Sequence, residues 1–123
     1  MAAMTVQRLH VVPSRFAVEH FAEATFPEDD EWIALVRAPE GLTVVRDAPP
    51  WAEGEIWIGL YGDPARHGRD TDMPAAVVGP LADAGIPVFV LSTYHADLVL
   101  VPEHRLADAK AALSQAGHRI AGH

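Results

Sequence analysis

The 123-residue sequence predicts an α+β fold: a ferredoxin-like βαββαβ unit over about residues 55–121, packed with a strand-rich N-terminal half. Three observations carry this. From residue 55 onward the apolar patterns run strand, helix, strand, strand, helix, strand. The first half holds short β-branched runs and almost no helical period. Half of the residues are hydrophobic and 21% are charged, the composition of a chain with a buried core.

The elements follow from turn residues and periodicity. Residues 9–12 and 16–21 read as two brief strands parted by Pro13 and Ser14, and residues 23–31 as an acidic loop. Residues 32–37 and 42–46 flank Ala38-Pro39-Glu40-Gly41, a hairpin with a four-residue connection. Pro49, Pro50 and Gly54 mark a seam between a unit at 1–50 and a second at 51–123. In residues 55–61, Ile56, Ile58 and Leu60 alternate with Trp57 and Gly59, as on a strand. Residues 62–72 read as an exposed loop.

Residues 73–84 carry Val77, Val78, Leu81 and Ala84 at helical spacing, with Pro74 suited to the first turn and Gly85 to the stop. Pro80 lacks the N–H that would reach the carbonyl of Ala76, so a kink or a tightened turn is expected there. Residues 86–91 and 98–101 are nearly continuous apolar runs, read as central strands of a hairpin. Leu106, Ala109, Leu113 and Ala116 line one face of a helix over 103–116, closed by Gly117, and residues 118–121 offer a last strand.

Composition narrows the function. Seventeen acidic against nine basic residues give a net charge of −8, which repels phosphate backbones and anionic lipid, so neither nucleic acid nor membrane is an expected partner. The absence of cysteine excludes disulfides, thiolate metal sites and cysteine nucleophiles, and fits a cytoplasmic location. No signal-peptide pattern and no membrane-spanning stretch is evident. Seven histidines occur, but none pair at the H-x-H or H-x3-H spacing of a metal site, and no metal or other cofactor is expected. The Trp residues 32, 51 and 57 read as core or interface anchors.

The segments P-L-A-D-A-G-I at 80–86, V-F-V-L-S-T-Y-H-A-D at 88–97 and L-V-L-V at 98–101, followed by a helix and A-G-H, resemble the ACT domain family. The likeness is to the paired ACT domains of the amino-acid-sensing and aspartate-kinase regulatory type, and L-H-V-V-P-S-R-F-A-V at 9–18 extends it over most of the chain. It implies a degenerate ACT-like unit at 1–50 beside an ACT domain at 51–123, in a non-catalytic regulatory protein. It also implies an amino acid held between ACT units, where the first strand-to-helix loop meets a facing strand, with a homodimer as the assembly.

By that resemblance Asp72 and Met73 stand at the loop, and Val88, Phe89, Val90, Ser92, Thr93, Tyr94, His95 and Asp97 on the facing strand and turn. The backbone N–H groups at the helix start suit a carboxylate. Asp97 suits the ammonium, with Ser92 and Thr93 adding hydroxyls. Two other readings stand beside this one. Asp70 and Asp72 occupy ground an incoming carboxylate would want, which favours a pairing module without ligand. His67 or His95 could serve a small ferredoxin-like enzyme as acid or base, but no second group is placed to share the work.

Overall fold

A computed structural model describes residues 8–22, 32–62, 73–93 and 96–122. In chain order it has β1 (Arg8–Phe21), β2 (Trp32–Ala38), β3 (Gly41–Asp47), β4 (Trp57–Gly62), α1 (Met73–Asp83), β5 (Phe89–Ser92) and β6 (Asp97–Pro102). A 3-10 turn (Glu103–Arg105) then leads into α2 (Leu106–Gln115), and β7 (Arg119–Ala121) ends the order. The result is a mixed α/β, strand-rich fold around one sheet.

The two strands expected at 9–12 and 16–21 are one fourteen-residue strand, β1. Its register against β4 shifts between Val11 and Arg15. Pro13 falls inside that irregularity, where its missing N–H removes no ladder bond, so the chain stays extended through it. β1 then serves three neighbours. One side pairs antiparallel with β4, from Leu9↔Gly62 to Phe16↔Trp57. The other side pairs parallel with β7 at Arg8↔Arg119 and, further on, antiparallel with β3 from Phe16↔Asp47 to Phe21↔Leu42.

The sheet order is therefore β2-β3-β1-β4-β6-β5, with β7 on β1. This differs from the self-contained four-stranded sheet that βαββαβ order suggests. β4 has β6 on one edge and β1 on the other, so β7 has no free edge of β4 to join. The longer β1 ladder takes that edge, and the three-residue β7 lies one strand further out. The expected seam near residue 50 lies in the connection between β3 and β4, and the sheet continues across it.

The β2–β3 hairpin is tighter than the four residues expected. Its ladder reaches Ala38↔Gly41, which leaves Pro39 and Glu40 as the turn. Gly41 has φ of +131°, and a Cβ there would overlap the carbonyl oxygen of Phe21 on β1.

Both helices cover one face of the sheet. Leu9, Leu60, Val99 and Val101 from the strands meet Val77 and Leu81 of α1 and Ala109 and Leu113 of α2 in one buried cluster. The opposite face packs Phe16, Val45 and Leu100, with Trp57, Leu91 and Leu98 partly buried around them. Each helix ends in a Schellman cap. Gly85 and Ile86 donate to the carbonyls of Ala82 and Leu81, and Gly117 and His118 to those of Ser114 and Leu113. The A-G-I and A-G-H motifs are these caps.

α1 runs through Pro80 from Met73 to Asp83. The Ala76 carbonyl that Pro80 cannot serve accepts instead from Nε2 of His118, at 2.8 Å, and His118 is 4% exposed. The strand expected at 86–91 as central is the short β5, which pairs with β6 alone and forms an edge of the sheet. Its apolar residues misled because Phe89 and Val90 are each 38% exposed rather than covered on both faces.

Candidate functional site

The connection into α1 and the β5–β6 turn leave the sheet at the same end. β4 runs antiparallel to β6 with Tyr61↔Leu98, and β6 to β5 with Leu91↔Leu98 and Ser92↔Asp97. Gly62, the last residue of β4, thus lies at the end of the sheet where Asp97 begins β6 and Ser92 ends β5. α1 starts at Met73 after that connection. Ser92 and Asp97, which bound the S-T-Y-x-x-D block, are thereby at the same end of the sheet as the end of β4.

The turn closes on itself through Thr93. Its N–H donates to the Ala96 carbonyl at 2.8 Å, its hydroxyl donates to the same carbonyl at 3.0 Å, and the hydroxyl accepts from the Ala96 N–H at 2.9 Å. A Thr hydroxyl used both ways fixes the turn like an added peptide group.

The expected site residues divide between the two faces. Val88, Val90 and Ser92 alternate along the chain onto the helix-covered side, in register with Val99 and Asp97. Val88 packs against the core cluster on that side. Phe89 faces the other way and meets the Trp57 ring edge-on at 4.8 Å between centroids. Asp97 is 1% exposed, and no buried polar side-chain atom among the described residues lacks a hydrogen-bond partner. Its carboxylate is held within the chain. Met73 opens α1, whereas Asp72, Tyr94 and His95, with His67, lie outside the described residues.

Two surface features were not singled out in the sequence. One is a groove of about 730 Å³ lined by Ala17, Glu19, Arg46, Trp51 and Glu53 among others. Trp51 is 80% exposed on it, so it is no core anchor in this chain, whereas Trp57 packs in the sheet as expected. The other is a cavity of about 370 Å³ between β1 and β7, lined by Arg8, His10 and Arg119 with their neighbours. No single stretch of sequence announces either. The cavity is assembled from β1 and β7, and the groove from β1, β3 and the connection that follows β3.

Ion pairs tie the start of α2 to the sheet. Arg15 on β1 donates through Nε and Nη2 to the two Glu103 oxygens, at 2.9 and 3.1 Å. Those hydrogen bonds from Arg15 hold the Glu103 carboxyl below the usual carboxylate range and raise the guanidinium in turn. Glu103 N–H donates to the Ile56 carbonyl, and His104 lies 3.2 Å from Glu55. Among the described residues no cluster of three or more His, Asp or Glu could hold a metal ion, and no helix is long and apolar enough to cross a membrane.

Comparison with known proteins bears on the same region. The chain matches none of the curated proteins. Its fold is that of two solved structures. The protein Atu0741 of Agrobacterium tumefaciens has a TM-score of 0.79 at 21% identity, over 97% of this chain and 96% of that one. VC0802 of Vibrio cholerae, described as a possible transport protein, has a TM-score of 0.67 at 23% identity, over 89% of each chain. The likeness includes the N-terminal strands, so β1 to β3 belong to a recurring architecture. Residues 56–115, from just before β4 to the end of α2, match the model of the ACT domain, a family whose members are typically regulatory, ligand-binding and non-catalytic.

Proposed function

We propose that the chain is a cytoplasmic, non-catalytic regulatory protein that binds an amino acid between ACT-type units and works as a homodimer. The observation that carries this reading is that the end of β4, from which the chain leads toward α1, and the Ser92 and Asp97 ends of the β5–β6 hairpin lie at one end of the sheet, within the segment that matches the ACT domain. A helix start offers N–H groups to a carboxylate, and a neighbouring turn offers carbonyls and hydroxyls to an ammonium. A zwitterion bridging the two would favour one arrangement of the units and so convert binding into a signal. The paired-unit reading places the first unit at 1–50 and the second at 51–123. The exposed apolar edge of β5 supports pairing with a second copy.

A thermal-shift screen of the twenty amino acids at millimolar concentration tests the reading. A ligand at a hundred times its dissociation constant adds about 2.7 kcal/mol of stability. One or a few related amino acids should raise the midpoint, and silence from all twenty would sink the ligand. The ligand-free pairing module is the second reading. It is favoured by the engagement of the Thr93 hydroxyl within the turn and by the burial of Asp97, which leave fewer polar groups for a guest.

A further inference from the structure

We infer that the cavity between β1 and β7 is a binding site for a small, doubly charged oxyanion, gripped by Arg8 and Arg119. The two arginines are register partners in the parallel β1–β7 pair, so their side chains leave the same face of the sheet side by side. Leu9 and Ile120, the next residues on each strand, pack into the core under the helices. Alternation therefore sends Arg8, His10, Arg119 and Ala121 to the opposite face, where they line the cavity of about 370 Å³.

Like charges set opposite each other on neighbouring strands repel. In a chain with seventeen acidic and nine basic residues, a carboxylate partner is easy to supply. Arg15, Arg46 and Arg105 each have one. Among the described residues Arg8 and Arg119 form no ion pair, and the described cavity lining contains no carboxylate. Two guanidinium groups at paired register positions, with no carboxylate partner among the described residues, suit an oxyanion with several acceptor oxygens. His10, held edge-on to the Tyr61 ring at 5.5 Å, stands on the same wall. The shared chemistry is that of a phosphate group or a short dicarboxylate. Arg8 and Arg119 lie outside residues 56–115, so the inference does not rest on an amino-acid ligand.

The test is isothermal titration of the full chain with inorganic phosphate and with malonate, at constant ionic strength against chloride. Each experiment is repeated on Arg8→Gln, Arg119→Gln and the double variant. Saturable binding of phosphate, of malonate or of both is expected in the wild type, and which of them binds identifies the class. Either single change should weaken it at least tenfold, and the double change should abolish it. No heat beyond that of chloride, or binding that survives in the double variant, would overturn the inference. A fold check accompanies it. In chloride at low ionic strength the variants should melt no lower than the wild type, because each relieves a like-charge contact. A fall in the melting point of both single variants would mean that the arginines already have partners within the chain, and would also overturn it.

Discussion

His118, at the cap of α2, donates its Nε2 proton to the carbonyl of Ala76 in α1, the one carbonyl that Pro80 leaves without its helical donor. A carbonyl only accepts, so this contact places a hydrogen on Nε2 of the ring. The two residues are forty-two positions apart, and the contact joins both helices on the buried face. Replacing His118 by Leu should cost about 1–3 kcal/mol, the penalty of a buried unsatisfied acceptor. In a Pro80→Ala background the new N–H can serve Ala76, so the same replacement should cost less. A double-mutant cycle by urea denaturation measures the coupling, and strict additivity would refute the link.

Gly41 should tolerate no side chain. Its φ of +131° and the nearby Phe21 carbonyl oppose a Cβ together. Gly41→Ala is expected to lower stability by about 1–3 kcal/mol, read as a shift in the urea midpoint. An unchanged midpoint would mean that the hairpin does not pack against β1 as described.

The Arg15–Glu103 pair sets an acid-side dependence. The hydrogen bonds from Arg15 depress the Glu103 pKa in the folded chain. Its contribution is thus full above the unfolded-state pKa and is lost as pH falls through the folded-state value. Both side chains are substantially exposed, so the effect is small and weakens with salt. Arg15→Gln should raise the Glu103 pKa toward the ordinary carboxylate value in an NMR titration. A Glu103 titration indifferent to that change would contradict the pairing.

Thr93 and Asp97 carry a structural prediction that separates fold from ligand. Thr93→Val removes two side-chain hydrogen bonds of the turn and should cost about 1–2 kcal/mol without any ligand present. Asp97→Ala should destabilise the ligand-free chain by a similar or larger amount, because it strips the partners of a buried carboxylate. Ligand-free melting curves that match the wild type would instead mark both residues as spare for a guest.

The β5 edge should control assembly. Val90→Lys places a charge on an exposed edge position and is expected to shift the chain to monomer in size-exclusion chromatography with light scattering, with its melting temperature retained. A variant that elutes and scatters like the wild type would place any dimer contact elsewhere.

Local chemistry made much of this fold legible. The glycines at 85 and 117 stop both helices, the alternation around Ile58 marks β4, and Pro80 announces an orphaned carbonyl. What repairs that carbonyl was not readable, because His118 meets Ala76 only once both helices have docked. The edge position of β5 was hidden for a related reason. Phe89, Val90 and Leu91 have the same apolar character whether a strand lies between two neighbours or beside one. Of the candidate site, the pairing of the strands on either side of the S-T-Y-x-x-D block is legible in their apolar runs. The burial of Asp97 ran against the usual exposure of a carboxylate, and the meeting of Arg8 with Arg119 depends on a pairing between the two ends of the chain.

That pairing has a consequence for how the molecule comes into being. A ribosome releases Arg119 long after Arg8, yet among the described residues β7 pairs with β1, the first strand in the order. Until β7 has emerged, the outer flank of β1 near Leu9 waits uncovered. A change that weakens β7 should therefore be felt at the early strand β1, more than a hundred positions away in sequence.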